Sequence, residues 1–150
     1  MIEYTVDVYS DGDVVWKLNG NRHREGDKPA IERTNGTKEW WLNDVLHREG
    51  DKPAVERADG GKAWWLNGER HREGDKPAIE RTDGHKSWWL NGEHHRENGA
   101  AIIYPDGSKS WYLNGELLTE EEHAARTQPT KELTVADIEK LLGHKVKVVK

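Results

Sequence analysis

His71-Arg72-Glu73-Gly74-Asp75-Lys76-Pro77-Ala78 is the third verbatim copy of an octapeptide that also starts at His23 and at His47. A second marker, Leu-Asn, recurs at 18–19, 42–43, 66–67, 90–91 and 113–114, a period of 24 residues that shortens to 23 in the last interval. Self-similarity at this period marks a repeat architecture. Each unit is one supersecondary element that buries its apolar face only against its neighbours.

The third unit shows what that element is. Ala78-Ile79-Glu80-Arg81 reads as a short strand and Lys86-Ser87-Trp88-Trp89-Leu90 as its return. Between them lies Asp83-Gly84, the strong hairpin signal. The same turn recurs at Asp11-Gly12, Asn35-Gly36, Asp59-Gly60 and Asp106-Gly107, and Asn91-Gly92 is a second turn. Asn35-Gly36-Thr37 matches a glycosylation sequon but sits at one of these turns. Pro29, Pro53 and Pro77 read as strand starts, where a missing N–H loses no ladder bond. The expectation is a mainly β chain, an elongated repeat sheet of stacked antiparallel hairpins. About five 24-residue repeats would supply some ten strands, with a small α/β cap at the C-terminal end.

Strand side chains alternate faces. One face of the return strands carries Trp16, Trp40, Trp64, Trp88 and Trp111, together with Leu18, Leu42, Leu66, Leu90 and Leu113. This column never varies in its aromatic member and is assigned to the core. The other face carries Lys17, Trp41, Trp65, Trp89 and Tyr112. It is either half-buried under the His-Arg-Glu loops or an exposed aromatic stripe.

The repeats occupy residues 1–118, and residues 119–150 form an appendage. Tyr4-Thr5-Val6-Asp7-Val8-Tyr9 opens the chain with an ordinary alternating strand, as an end cap should. At the other end Leu118 replaces the repeat His, and Thr119-Glu120-Glu121-Glu122 reads as a capping box opening a helix to about Arg126. A second helix starts at Thr134, with Ile138, Leu141 and Leu142 on one face and Gly143 at its end. The alternation over residues 145–149 predicts a strand.

Composition bounds the function. The chain has 150 residues, a formal net charge of −5, 33% hydrophobic and 34% charged residues. Leu, Ile, Val and Phe make up about 18%, a fraction that goes with disorder only when net charge is also high. Eight Trp argue for a thin core built on rings. There is no Cys, hence no disulfide framework, thiolate metal site or cysteine nucleophile. No run of apolar residues is long enough to span a bilayer, and Met1 to Ser10 lack the features of a secretion signal, so a cytoplasmic setting fits. An isoelectric point near 5.9 disfavours nucleic acid as a partner.

The pattern Trp-Leu-Asn-Gly-x-x-His-Arg-x-Gly, carried by Trp65-Leu66-Asn67-Gly68, His71, Arg72 and Gly74 and followed nine residues on by Asp83-Gly84, resembles the MORN repeat and its bacterial and phage variants. The resemblance covers roughly residues 10–116. Asn43-Asp44 departs from it, and Arg72 stands where the usual pattern has Gly. It implies stacked antiparallel hairpins and binding to proteins, sometimes proposed for lipids, rather than catalysis. Separately, residues 133–150 resemble a short terminal module of phage-encoded proteins. That likeness implies a role in neutralising a host factor such as a defence component, in the host cytoplasm.

The repeated chemistry has bland readings beside functional ones. Equivalent His residues two strands apart lie ~10 Å from each other, too far to share one zinc, so a ladder of loop-bonding His is expected and no metal. A His-Arg-Glu triplet repeated four times is not the unique constellation that catalysis needs, so no catalytic residue and no cofactor are expected. Arg and Trp together can hold a nucleotide between rings, which makes a nucleotide sponge one alternative and a self-assembling scaffold another. Each Arg is followed by Glu, however, and self-neutralised loops do not attract polyanions. Trp, Tyr and Arg are also the usual anchors of protein interfaces. The partner-binding residues expected on this basis are Trp41, Trp65, Trp89 and Tyr112, with Arg48, Arg72 and Arg96 beside them, on a non-catalytic protein-binding module that inhibits its partner. No membrane contact is expected.

Overall fold

The computed structural model describes residues 1–128, 134–145 and 147 of the protein. The chain opens with β1 (Tyr4–Val8) and β2 (Val14–Leu18), which pair antiparallel, and β3 (Asn21–Arg22), which returns on the far end of β2. Three units then follow one plan. The first comprises β4 (Ile31–Glu32), β5 (Lys38–Glu39), β6 (Trp41–Leu42) and β7 (Val45–Leu46). The next has β8 (Val55–Glu56), β9 (Lys62–Ala63), β10 (Trp65–Leu66) and β11 (Glu69–Arg70). The third has β12 (Ile79–Glu80), β13 (Lys86–Ser87), β14 (Trp89–Leu90) and β15 (Glu93–His94). The final unit has β16 (Ile102–Ile103), β17 (Lys109–Leu113) and β18 (Glu116–Leu118). Helices α1 (Glu120–Thr127) and α2 (Val135–Leu142) end the described chain.

One long, open antiparallel sheet runs β1-β2-β4-β5-β8-β9-β12-β13-β16-β17-β18. Three two-stranded sheets, β6-β7, β10-β11 and β14-β15, stand beside it. The stacked-hairpin architecture read from the sequence is therefore present, but each inner unit is two hairpins rather than one. The return strand breaks at the first Trp. The Trp64 N–H donates to the Ala78 carbonyl (2.8 Å) in the long sheet, while its own carbonyl accepts from the His71 N–H (3.3 Å) in the second hairpin. One residue thus belongs to both sheets and makes the corner between them. Asn67 (φ 51°) and Gly68 (φ 82°) are both left-handed, the conformation that closes a two-residue hairpin with the right twist.

The corner also corrects the expected core. Trp40, Trp64 and Trp88 are buried at 6% exposure, but the Leu column does not share their environment, and Leu42 is 36% exposed. Past the corner, the hairpin face that carries Leu42 opposite Val45 turns to solvent. The small residues that follow the loops, Ala30, Ala54, Ala78 and Ala101, are each fully buried. Their backbones bond directly to the Trp of the adjacent strand. Trp16, Trp40, Trp64 and Trp88 donate to the carbonyls of Ala30, Ala54, Ala78 and Ala101 at 2.8 Å. Pro29, Pro53 and Pro77 lie in the loops, two residues ahead of their strands.

The C-terminal end is closed by Leu118, buried where other units place His, and by α1. Thr119 caps α1 through a reciprocal capping box with Glu122, as expected. Buried His123 donates from Nε2 to the Arg96 carbonyl at 2.6 Å. The second helix begins at Thr134 with its own capping box and ends at left-handed Gly143. The strand expected over residues 145–149 falls largely outside the described residues. Among the described residues, no helix is long and apolar enough to cross a membrane.

Candidate functional site

The verbatim octapeptide is consumed by packing between units. Arg72 lies over the Trp64 ring at 3.6 Å. Its guanidinium reaches back to Asp51 of the preceding loop (Nε to Oδ1, 2.7 Å) and forward to the Pro77 carbonyl and Glu80 (both 3.0 Å). Lys76 joins it on Asp51 at 2.6 Å. Arg48 repeats the arrangement with Trp40, Asp27, Pro53 and Glu56, and Arg96 with Trp88 and Asp75. The cations of Arg48 and Lys52 hold the Asp27 carboxyl down to about 2, and Arg72 and Lys76 do the same to Asp51. His47 accepts the Asn67 N–H on Nδ1 at 3.0 Å, and His71 and His95 do so from Asn91 and Asn114. These imidazoles tie each unit to the next turn, a ladder of loop-bonding His.

Arg48, Arg72 and Arg96 lie beside the second column through their backbones, whose N–H groups donate to the Trp65, Trp89 and Tyr112 carbonyls at 3.2, 3.1 and 3.1 Å. Their guanidinium groups, however, stack on the first column. Their side chains are only 12–17% exposed, and their donors are engaged. The reason is the corner at the first Trp, which swings the second hairpin away and leaves the inner ring beneath the Arg of its own unit.

The second column is brought together as read. Trp41, Trp65, Trp89 and Tyr112 lie on one face of successive second hairpins, all half-buried. Their cross-strand partners are Leu46, Arg70, His94 and Leu117. The partners interleave with the rings. Arg22 covers Trp41 at 3.7 Å, and Arg70 sits between Trp65 (5.0 Å) and Trp89 (4.8 Å). The His94 ring stacks 3.6 Å from Trp89 and 5.1 Å from Tyr112. Two indole N–H groups anchor the column to the long sheet, Trp41 on Glu39 (3.0 Å) and Trp89 on Ser87 (2.8 Å). Between column and sheet runs a groove of about 470 Å³, floored by Val55, Ala63 and Ile79 and walled by Leu46, Trp65 and Arg70.

The groove is cationic. Of the ten arginines, seven form ion pairs: Arg22, Arg24, Arg33, Arg48, Arg72, Arg96 and Arg126. The remaining three, Arg57, Arg70 and Arg81, make none among the described residues, and all three line this groove. Arg70 Nε is buried without a hydrogen-bond partner. Burial, then the charges of Arg81 and Arg57, press the Arg70 pKa down. Burial likewise lowers His94 and His85, with Arg70 adding to the first and Arg81 to the second. The origin is sequence drift at matching positions. Arg33 is neutralised by Asp13 and Glu39. The corresponding positions are Thr37 and Ala63 around Arg57, and Gly61 and Ser87 around Arg81.

The sequence reading missed these three arginines. The signal was present as the loss of one carboxylate pair from repeat to repeat around Arg57 and Arg81. No family model matches the chain, and neither a curated protein nor a solved structure matches it.

Proposed function

We propose that the chain is a non-catalytic module that binds another protein through the face bearing Trp41, Trp65, Trp89 and Tyr112. The observation that carries this reading is the aromatic column itself. Four rings stand half-buried in register on a frame whose units are bonded to each other through the His-Arg-Glu loops and the turns that follow the paired rings. Such a frame loses little freedom on binding, and large, partly desolvated rings with interleaved Arg are the residue types that anchor interfaces. On the likeness of residues 133–150 to a phage terminal module, the partner is a host protein that the chain holds inactive.

Nucleotide binding between the rings finds less support. A base stacking on Trp41 or Trp89 would have to displace Arg22, Arg70 or His94. The test is capture from a bacterial lysate by immobilised chain, compared with Trp41→Ser/Trp65→Ser/Trp89→Ser checked for an intact melting transition. A stoichiometric protein retained only by the native chain supports the proposal. Equal retention by both refutes it, as does a gain in melting temperature with nucleotides alone or concentration-dependent self-assembly without a partner.

A further inference from the structure

Arg57, Arg70 and Arg81 form a cationic centre in a chain of net charge −5 whose other seven arginines are neutralised. An unpaired, partly buried guanidinium is costly unless something else completes it. Arg70 is such a group, its Nε buried without an acceptor, and the exposed Arg57 and Arg81 face the same groove with no ion pair among the described residues, so the site is incomplete without an anion. The groove's own carboxylates do not supply it, since Glu39 is held by Arg33 and Glu80 by Arg72.

We infer that this groove docks an acidic, extended segment of the protein partner, whose carboxylates pair with Arg57, Arg70 and Arg81. The inference rests on the protein-binding reading above and specifies the partner's chemistry. Spacing favours a segment over a single anion. Arg57 and Arg81 follow β8 and β12, which are separated in the sheet by β9, so their backbones stand about 10 Å apart, two strand spacings. A single phosphate offers one point of charge to cations that start from positions this far apart. An extended chain rising about 3.3 Å per residue sets carboxylates two to four residues apart across that distance. Guanidinium forks grip carboxylates in pairs, which gives such a segment both register and direction. The groove's apolar floor of Val55, Ala63 and Ile79 receives the residues between the acids.

The probe is an octaglutamate peptide titrated against the full chain at low ionic strength, read by Trp fluorescence, with inorganic phosphate as the single-anion control. The comparison variant is Arg57→Ser/Arg81→Ser, which removes two exposed side chains that make no ion pair among the described residues and leaves Arg70 on its rings. The peptide should bind the native chain, at least tenfold more weakly to the variant and more weakly in added salt, while phosphate leaves the fluorescence unchanged. Binding of peptide equally to both chains, no binding to either, or phosphate matching the peptide would each overturn the inference. The lysate experiment separates the two proposals. A partner that needs the Trp column but is retained by Arg57→Ser/Arg81→Ser refutes the acidic segment and leaves protein binding standing.

Discussion

Replacing Arg72 and Arg57 by Met separates an arginine that builds the repeat from one that does not. Arg72→Met preserves an aliphatic side chain over Trp64 and removes only the charge and its bonds. The cation over the ring contributes about 0.5–1 kcal/mol, and the bond to the Pro77 carbonyl about 1 kcal/mol. Asp51 and Glu80 are 43% and 38% exposed, so each ion pair is screened and contributes about 0.5 kcal/mol. The sum is a loss of about 2.5–3 kcal/mol. Arg57 makes no ion pair among the described residues and lies near the Arg70 cation, so Arg57→Met should leave stability within about 0.5 kcal/mol or raise it slightly. Urea unfolding followed by Trp fluorescence measures both, provided the slope of the transition stays constant between variants. Equal losses for the two variants, or a loss below about 0.5 kcal/mol for Arg72→Met, would refute the assignment of the octapeptide to inter-unit packing.

Further outcomes follow from the same geometry. Asp27 and Asp51 titrate near 2 when folded, below the unfolded 3.8. Their contribution is complete above about pH 4 and is lost as pH falls towards 2, so Asp27→Asn/Asp51→Asn should flatten the acid limb of a stability–pH curve. The lowered His94 and His85 pKa values act higher up the scale. Unfolding lets these groups bind protons more readily, so stability should decline as pH drops below about 6.5. His94→Phe, which preserves the ring stack, should shrink that decline in chemical denaturation at pH 7 and 5.5. Ala54 is fully buried, and Ala54→Leu should cost about 1–3 kcal/mol by overpacking, read as a lower urea midpoint. His123→Ala leaves the Arg96 carbonyl without its 2.6 Å donor. It should cost about 1–3 kcal/mol and speed hydrogen exchange in the last repeat before the first.

The fold was legible because punctuation and period agree. Asp-Gly and Asn-Gly turns fix where each hairpin closes, and their 24-residue recurrence fixes how hairpins stack. The corner at the first Trp was not legible, since Lys86-Ser87-Trp88-Trp89-Leu90 alternates like one continuous strand. Only the competing hydrogen bonds of the Trp88 N–H to Ala101 and its carbonyl to His95 show where it breaks. That break decides the rest. It takes Leu42 out to solvent while Ala fills the core, and it sets the guanidinium groups of Arg48, Arg72 and Arg96 on the first ring column while their backbones stay bonded to the second. The aromatic half of the candidate site was readable from strand periodicity, because alternation survives inside each short hairpin. Its cationic half was not, because Arg57 and Arg33 look alike in sequence. They differ only in whether a neighbouring strand brings a carboxylate to them. Asn43-Asp44, an irregularity by pattern, also has a role. Left-handed Asp44 replaces Gly and accepts from Arg22 Nε at 2.6 Å.

The central claim is that the aromatic column and its groove are the protein-binding face. Hydrogen–deuterium exchange of the chain alone and saturated with its captured partner tests it most directly. The account predicts slowed exchange over residues 55–70 and 79–94, with the loops at 25–28, 49–52 and 73–76 unchanged. Protection confined to those loops or to β1, with the groove strands exchanging as in the free chain, would contradict it.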